Sequence, residues 1–184
     1  MARVPYTSRE TAPPKVAEMF AKMEAGGFQL LNLYRAVGHC GEIAPAFIRL
    51  GNKILFQGQL PPKLRELAIL RVGHLAQAPY EYSKHLIIGR ESGLSQAQLD
   101  AIPDWQGAGC FDAQEHAVLA YTDEVSHQYR AQDATFAALA GFLDSEQLVE
   151  LTVVVGFYEM ICRVLEALQI ELEDDEFEPL GKSK

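Results

Sequence analysis

The sequence predicts an all-α protein, and three observations carry that expectation. Apolar residues recur at helical spacing along most of the chain, prolines stand where helices can begin and glycines where they can end, and no segment alternates polar with apolar residues as a half-buried strand would. With 184 residues, 48% apolar and 22% charged, the chain has the length and composition of one ordinary folded domain. The expectation is a single domain over 1–184, with an irregular arm over 1–13 and an acidic tail over 173–184.

Pro14 to Met23 reads as a short helix stopped by Gly26 and Gly27. Phe28 to Val37 and Ile43 to Phe56 are two more periodic stretches, separated by Gly38 to Gly41. Pro61 and Pro62 open the next helix, because proline is tolerated in a first helical turn and nowhere deeper. From Pro62 to Gln77 apolar residues face nearly every direction, so this helix is expected to be buried. Pro79 opens a helix running to Ser92, closed by Gly93, and Ser95 caps a short one. Ile102 to Gly109 reads as a loop. Asp112 with Glu115 three residues on makes a capping box for a helix to about Tyr129. Asp133 caps a further short helix ended by Gly141, and Ser145 to Ile170 is long and mostly apolar, crossed by a polar line of Thr152, Glu159, Arg163 and Glu166.

Charge narrows the function classes. The formal net charge is −9, and six acidic residues between Glu171 and Glu178 account for most of it, leaving −3 for the remainder. A near-neutral body with an acidic tail offers no basic stripe for a nucleic acid and no attraction to an anionic membrane surface. No apolar run approaches the roughly 20 residues that span a bilayer. Three scattered cysteines, Cys40, Cys110 and Cys162, fit reduced thiols better than a disulfide framework, and the polar, proline-bearing amino terminus does not read as a secretion signal. The expected location is cytoplasmic.

One constellation has the makings of chemistry. Glu66 lies on the buried helix above Ile69, Leu70 and Gly73, where a carboxylate must find a partner or shift toward its neutral form. On the next helix Glu81 and His85 stand four residues apart, so their side chains overlie one another, and a carboxylate beside an imidazole raises its basicity and fixes its tautomer. Blander readings stand beside this one. Glu66 is also placed for a structural ion pair with Arg65, Arg71 or Arg163, and Glu81 with His85 for an ordinary solvent-facing pair. No further histidine completes a metal site at ligand spacing, and His39, His74, His116 and His127 read as core or surface residues. Glu159 and Arg163 read as a buried structural pair.

The run LPPKLRELAILRVGHLAQAPYEYSKHLIIGRESGLS over 60–95 resembles the central motif of the carboxymuconolactone decarboxylase-like proteins, which include alkyl hydroperoxidase D. Flanking pieces agree: NLYRAVGH at 32–39, FIRLGNKILFQGQL at 47–60, FDAQEHAVLAYTDE at 111–124 and the closing VGFYEMICRVLEALQIELE. The resemblance extends from about Pro14 to Leu172 and implies an alkyl hydroperoxidase D-like helical bundle. In the peroxidase branch of that family a glutamate is followed by two redox cysteines and a histidine; counted from Glu66, those positions hold Ala78, Glu81 and His85. The proton-relay positions match and both sulfurs are absent, so the resemblance points to the decarboxylase-like branch.

That branch implies cofactor-free, metal-free removal of carbon dioxide from a small carboxylated lactone or related acid. On this expectation His85 is proton donor or shuttle, Glu81 its orienting partner and Glu66 a second acid-base group across a cleft. Arg71 is a candidate for holding a substrate carboxylate and Tyr34 for lining the pocket. Glu159 stands where many relatives are expected to carry a neutral side chain. Two alternatives accompany this reading: a hydroperoxidase that recruits a distant cysteine, and a non-catalytic assembly that binds a small molecule. Several helices are apolar over more than one face, and self-association is expected; the resemblance implies a homotrimer or homohexamer.

Overall fold

A computed structural model describes residues 1–173. Among them nine α-helices follow one another without a strand: α1 (Pro14–Ala25), α2 (Asn32–Val37), α3 (Ile43–Gln57), α4 (Pro62–Leu75), α5 (Pro79–Glu91), α6 (Gln96–Ala101), α7 (Ala113–Gln128), α8 (Asp133–Ala140) and α9 (Ser145–Leu168). The all-α expectation holds. The chain divides into two compact units, one made of 1–56 with the segment from Val164 onward, the other of 57–163. The acidic tail falls outside the described residues, apart from Glu173 at its start.

In the first unit the amino-terminal arm has no regular structure and is tied down by its backbone. The Arg3 N–H donates to the Leu168 carbonyl at 2.9 Å, and the Thr7 N–H to the Arg35 carbonyl at 3.1 Å. Val16, Phe20 and Ala44 are fully buried in this unit. The helix expected from Phe28 begins only at Asn32, because Gly27 takes the left-handed conformation at φ 74° and Leu31 is extended. The Asn32 N–H, which a longer helix would have bonded internally, instead donates to the Glu173 carboxylate at 2.6 Å.

The second unit is built on α4, which packs against α5 and α7; α7 in turn carries α8, and α5 carries α6. Every residue from Leu64 to Gly73 is buried, as the apolar circumference of this helix predicts. Burying Leu67, Ile69 and Leu70 alone contributes about 1.5–3 kcal/mol each. Pro62 and Pro79 occupy first turns, and Gln77 takes a left-handed conformation between them, so the chain reverses tightly and lays α5 along α4. Farther along α5, Gly89 permits close approach: a Cβ there would stand 3.1 Å from methyl carbons of both Leu70 and Leu94. The capping box expected at Asp112 is present, and its Glu115 also receives Lys63 at 2.6 Å and the Gln98 amide at 2.9 Å. The expected loop over 102–109 contains one 3-10 turn, Trp105–Gly107. No helix among the described residues is long and apolar enough to cross a membrane.

Candidate active site

The antiparallel start of α5 against α4 brings Glu66 and His85 face to face. His85 Nδ1 lies 2.6 Å from Glu66 Oε2, and Nε2 lies 3.0 Å from Glu81 Oε1 one turn earlier on α5. The other Glu66 oxygen accepts from Arg65 Nε at 2.9 Å. The Tyr158 ring, from α9, meets the imidazole at right angles with centroids 5.0 Å apart. The three residues that helical spacing singled out therefore form one hydrogen-bonded line, carboxylate to imidazole to carboxylate. Glu66 is paired with Arg65, as its blander reading allowed, and that pairing coexists with the contact to His85. The solvent-facing reading of Glu81 and His85 is overturned: both side chains are only 6% exposed, and Glu66 is sealed completely.

Burial on its own would drive the proton off His85, since a charged imidazolium is costly in an apolar interior. The Glu66 carboxylate, and then Glu81, more than reverse that, and raise the imidazole pKa from 6.5 to about 9. At neutral pH both ring nitrogens therefore carry protons, and each donates to a carboxylate. The Glu66 and Glu81 carboxyl groups thus lie against the imidazole and the Arg65 guanidinium, and placing opposite charges together lowers the cost of burying them. Beside this line the buried Lys84 ammonium lies 5.6 Å from the centre of the Tyr80 ring.

Arg71 is not part of this line. Arg71 is buried, as expected, but its guanidinium fork is already engaged: Nε and Nη2 reach the two Asp123 oxygens at 2.6 and 3.0 Å. Nη1 donates to the carbonyls of Ile102 and Pro103, and the Trp105 indole donates to the same Asp123. This is a clamp joining α4, α7 and the 102–109 segment, so Arg71 is not carried into a substrate-binding set. Tyr34 lies on α2, in the first unit, and Glu66, Glu81 and His85 lie in the second. Glu159 and Arg163 do pair, at 3.1 Å, but the arginine is exposed, which corrects the buried pair that was expected. His116 packs between Trp105 and Phe111, His74 lies near Tyr82, His39 bonds the Pro5 carbonyl and His127 is exposed. Among the described residues no group of three or more His, Cys, Asp or Glu side chains is arranged to hold a metal ion. Tyr158 is the one site residue that sequence reasoning missed. An aromatic in a mostly apolar helix carries no local mark that separates a wall of a site from core.

The nine helices among the described residues have the architecture of the alkyl hydroperoxidase D-like fold. Solved structures agree on the fold. A peroxidase-related protein of Ralstonia eutropha with an alkylhydroperoxidase AhpD core superposes with a TM-score of 0.79 at 17% identity, covering 94% of this chain and 93% of that one. A peroxidase-related protein of a Silicibacter species gives 0.78 at 17% identity over 94% and 92%. The debrominase Bmp8 gives 0.72 at 21% identity over 88% and 87%. The model of the carboxymuconolactone decarboxylase family matches residues 41–124, a span that contains Glu66, Glu81 and His85. The likeness to this family is carried by residues 41–124, and the likeness to the solved structures is one of fold. No curated protein sequence matches this chain.

Proposed function

We propose that the protein is a thiol-independent acid-base enzyme that decarboxylates a small carboxylated lactone or a related acid. The observation that carries this reading is the buried line Glu66–His85–Glu81, with a carboxylate at the position where the peroxidase pattern places a thiol. Loss of carbon dioxide leaves the bonding electrons on carbon as an enolate, which must be protonated. Glu81 and His85 form the edge of the line with residual exposure, and Glu66 is sealed behind them with Arg65. The roles therefore differ from those the sequence favoured: Glu66 orients His85 and holds its charge, whereas Glu81 exchanges the proton with substrate and is resupplied from Nε2 of His85. Tyr158 closes one side of the imidazole and limits its rotation.

The test is release of carbon dioxide from a carboxymuconolactone and from smaller carboxylated lactones, run in deuterated water so that the newly protonated carbon is labelled. Wild type should release carbon dioxide with one deuterium incorporated. Glu81→Gln and His85→Gln should lose turnover by roughly two orders of magnitude or more while keeping the helical circular dichroism. An undiminished rate in His85→Gln would remove the imidazole from the mechanism, and absence of carbon dioxide from every lactone with wild type would remove decarboxylation. Persistence of wild-type activity after thiol alkylation is the expected result that separates this chemistry from peroxide reduction by Cys40, Cys110 or Cys162.

A further inference from the structure

Lys84 carries a buried ammonium that the line Glu66–His85–Glu81 does not use. Only 6% of the residue is exposed. Around α5, at about 100° per residue, it falls between Tyr80 and Glu81, with His85 next beyond, and all four side chains are buried. Glu81 and Lys84 stand three residues apart, a spacing at which Cβ atoms on a helix lie about 5–6 Å from one another. The ammonium is therefore borne on the same face as the pair proposed to deliver the proton.

Taking an ammonium out of water is costly, and an apolar side chain of the same length would fill the place without that cost. The buried arginines of α4 meet carboxylates: Arg65 Nε reaches Glu66 at 2.9 Å, and Arg71 reaches both Asp123 oxygens at 2.6 and 3.0 Å. Lys84 has an aromatic seat, its Nζ lying 5.6 Å from the centre of the Tyr80 ring. A ring face attracts a cation through its quadrupole but accepts no charge-assisted hydrogen bond, whereas a carboxylate answers the three donors of an ammonium. The four-carbon stem turns on several bonds, so the head can move from ring to carboxylate, which the fork of Arg71, fixed at both ends, cannot. A cation on the carboxylate that departs would steady the very charge the reaction must give up, so it serves catalysis only on one that stays.

We propose that Lys84 is a substrate-binding residue, whose ammonium holds a carboxylate that the reaction retains while the carbon to be protonated lies at Glu81. The assignment rests on the decarboxylase reading for its class of ligand, and a binding test separates the two. The probes are γ-butyrolactone carrying one acetic acid arm, and the methyl ester of the same compound, titrated calorimetrically into the full chain. Wild type should bind the acid at least roughly tenfold more tightly than the ester. Lys84→Met keeps the length of the stem and should weaken the acid by roughly tenfold or more while leaving the ester within about twofold. Packing alone would shift both ligands alike. Lys84→Arg should keep part of the preference, and in turnover of a carboxymuconolactone Lys84→Met should raise KM more than it lowers kcat. Equal wild-type affinity for acid and ester would overturn the proposal, and so would acid binding weaker than about 10 mM or an undiminished preference in a folded Lys84→Met. The wild-type comparison decides alone if that variant does not fold. Failure of every lactone to release carbon dioxide, with the Lys84-dependent preference intact, would sink decarboxylation and leave the role of the ammonium standing.

Discussion

Replacing Glu66 with Gln isolates the charge that governs His85. The substitution keeps the shape of the side chain and an acceptor near Nδ1, but removes the anion 2.6 Å from the ring and the carboxylate partner of Arg65. Burial opposes the imidazolium, and the two carboxylates outweigh it to place the pKa at about 9 against an ordinary 6.5. That difference is worth about 3 kcal/mol. The folded state holds this proton more tightly than the unfolded chain does. The stabilisation is therefore complete below about pH 6.5 and drains away as the pH climbs through about 9. Urea unfolding of wild type should show stability falling by about 3 kcal/mol between roughly pH 6 and roughly pH 9.5. In Glu66→Gln burial is opposed by Glu81 alone, so the imidazole should titrate well below its wild-type pKa and the slope should flatten. At neutral pH that variant should also be less stable by about 3 kcal/mol, because it removes the carboxylate that His85 and Arg65 share in the interior. Nuclear magnetic resonance titration of the His85 ring, assigned by comparison with His85→Gln, reads the pKa directly. A wild-type ring titrating near 6.5, or a Glu66→Gln variant with the full wild-type slope, would refute the reasoning.

Two further substitutions test what holds this unit together. Arg71→Ala should lower stability by about 3–5 kcal/mol in urea unfolding, since it removes the charge partner of Asp123 and the donor to two carbonyls. Arg71→Lys should recover little, because one ammonium cannot span all those acceptors, and a loss under about 1 kcal/mol for either variant would contradict a clamp. Gly89→Ala gains about 1 kcal/mol of helix propensity but presses a methyl to 3.1 Å from Leu70 and Leu94, which costs about 1–3 kcal/mol. Thermal melting should show no gain or a net loss; the full propensity gain would mean that those leucines move aside freely.

Helix boundaries were legible wherever a local rule fixes them. Pro14, Pro62 and Pro79 all fall in first turns, and the Asp112 box forms with both of its reciprocal bonds. The start of α2 failed because its determinants are not local. Phe28, Leu30 and Leu31 supply apolar character, yet the bond that satisfies the first helical N–H comes from Glu173, 141 positions away, and no window on the sequence contains both groups. The same holds for Arg71. Its apolar surroundings correctly placed a guanidinium fork in the interior, but Asp123 fills that fork from 52 residues downstream.

At the candidate site, spacing fixed which side chains meet and could not fix the order of burial. The i,i+4 relation joins Glu81 to His85, and the turn at Gln77 and Ala78 brings Glu66 to the other ring nitrogen. Glu66 is tied inward by Arg65, its neighbour in sequence, whereas the ring that flanks His85 is Tyr158, 73 positions further along the chain. The consequence is chemical. Where the peroxidase pattern has a thiol, an imidazole serves by taking the proton from sulfur, and so it must begin neutral. Glu81 in that position adds an anion beside the ring, and with Glu66 it keeps His85 protonated up to about pH 9. On the proposed reading, a ring held in that state stores a proton that a carbanionic centre draws through Glu81, and it cannot act as the base that activates a thiol until that proton is gone. If Glu81 delivers that proton as proposed, exchange of sulfur for a carboxylate at this one position reverses the direction in which the relay moves a proton, within the same two helices.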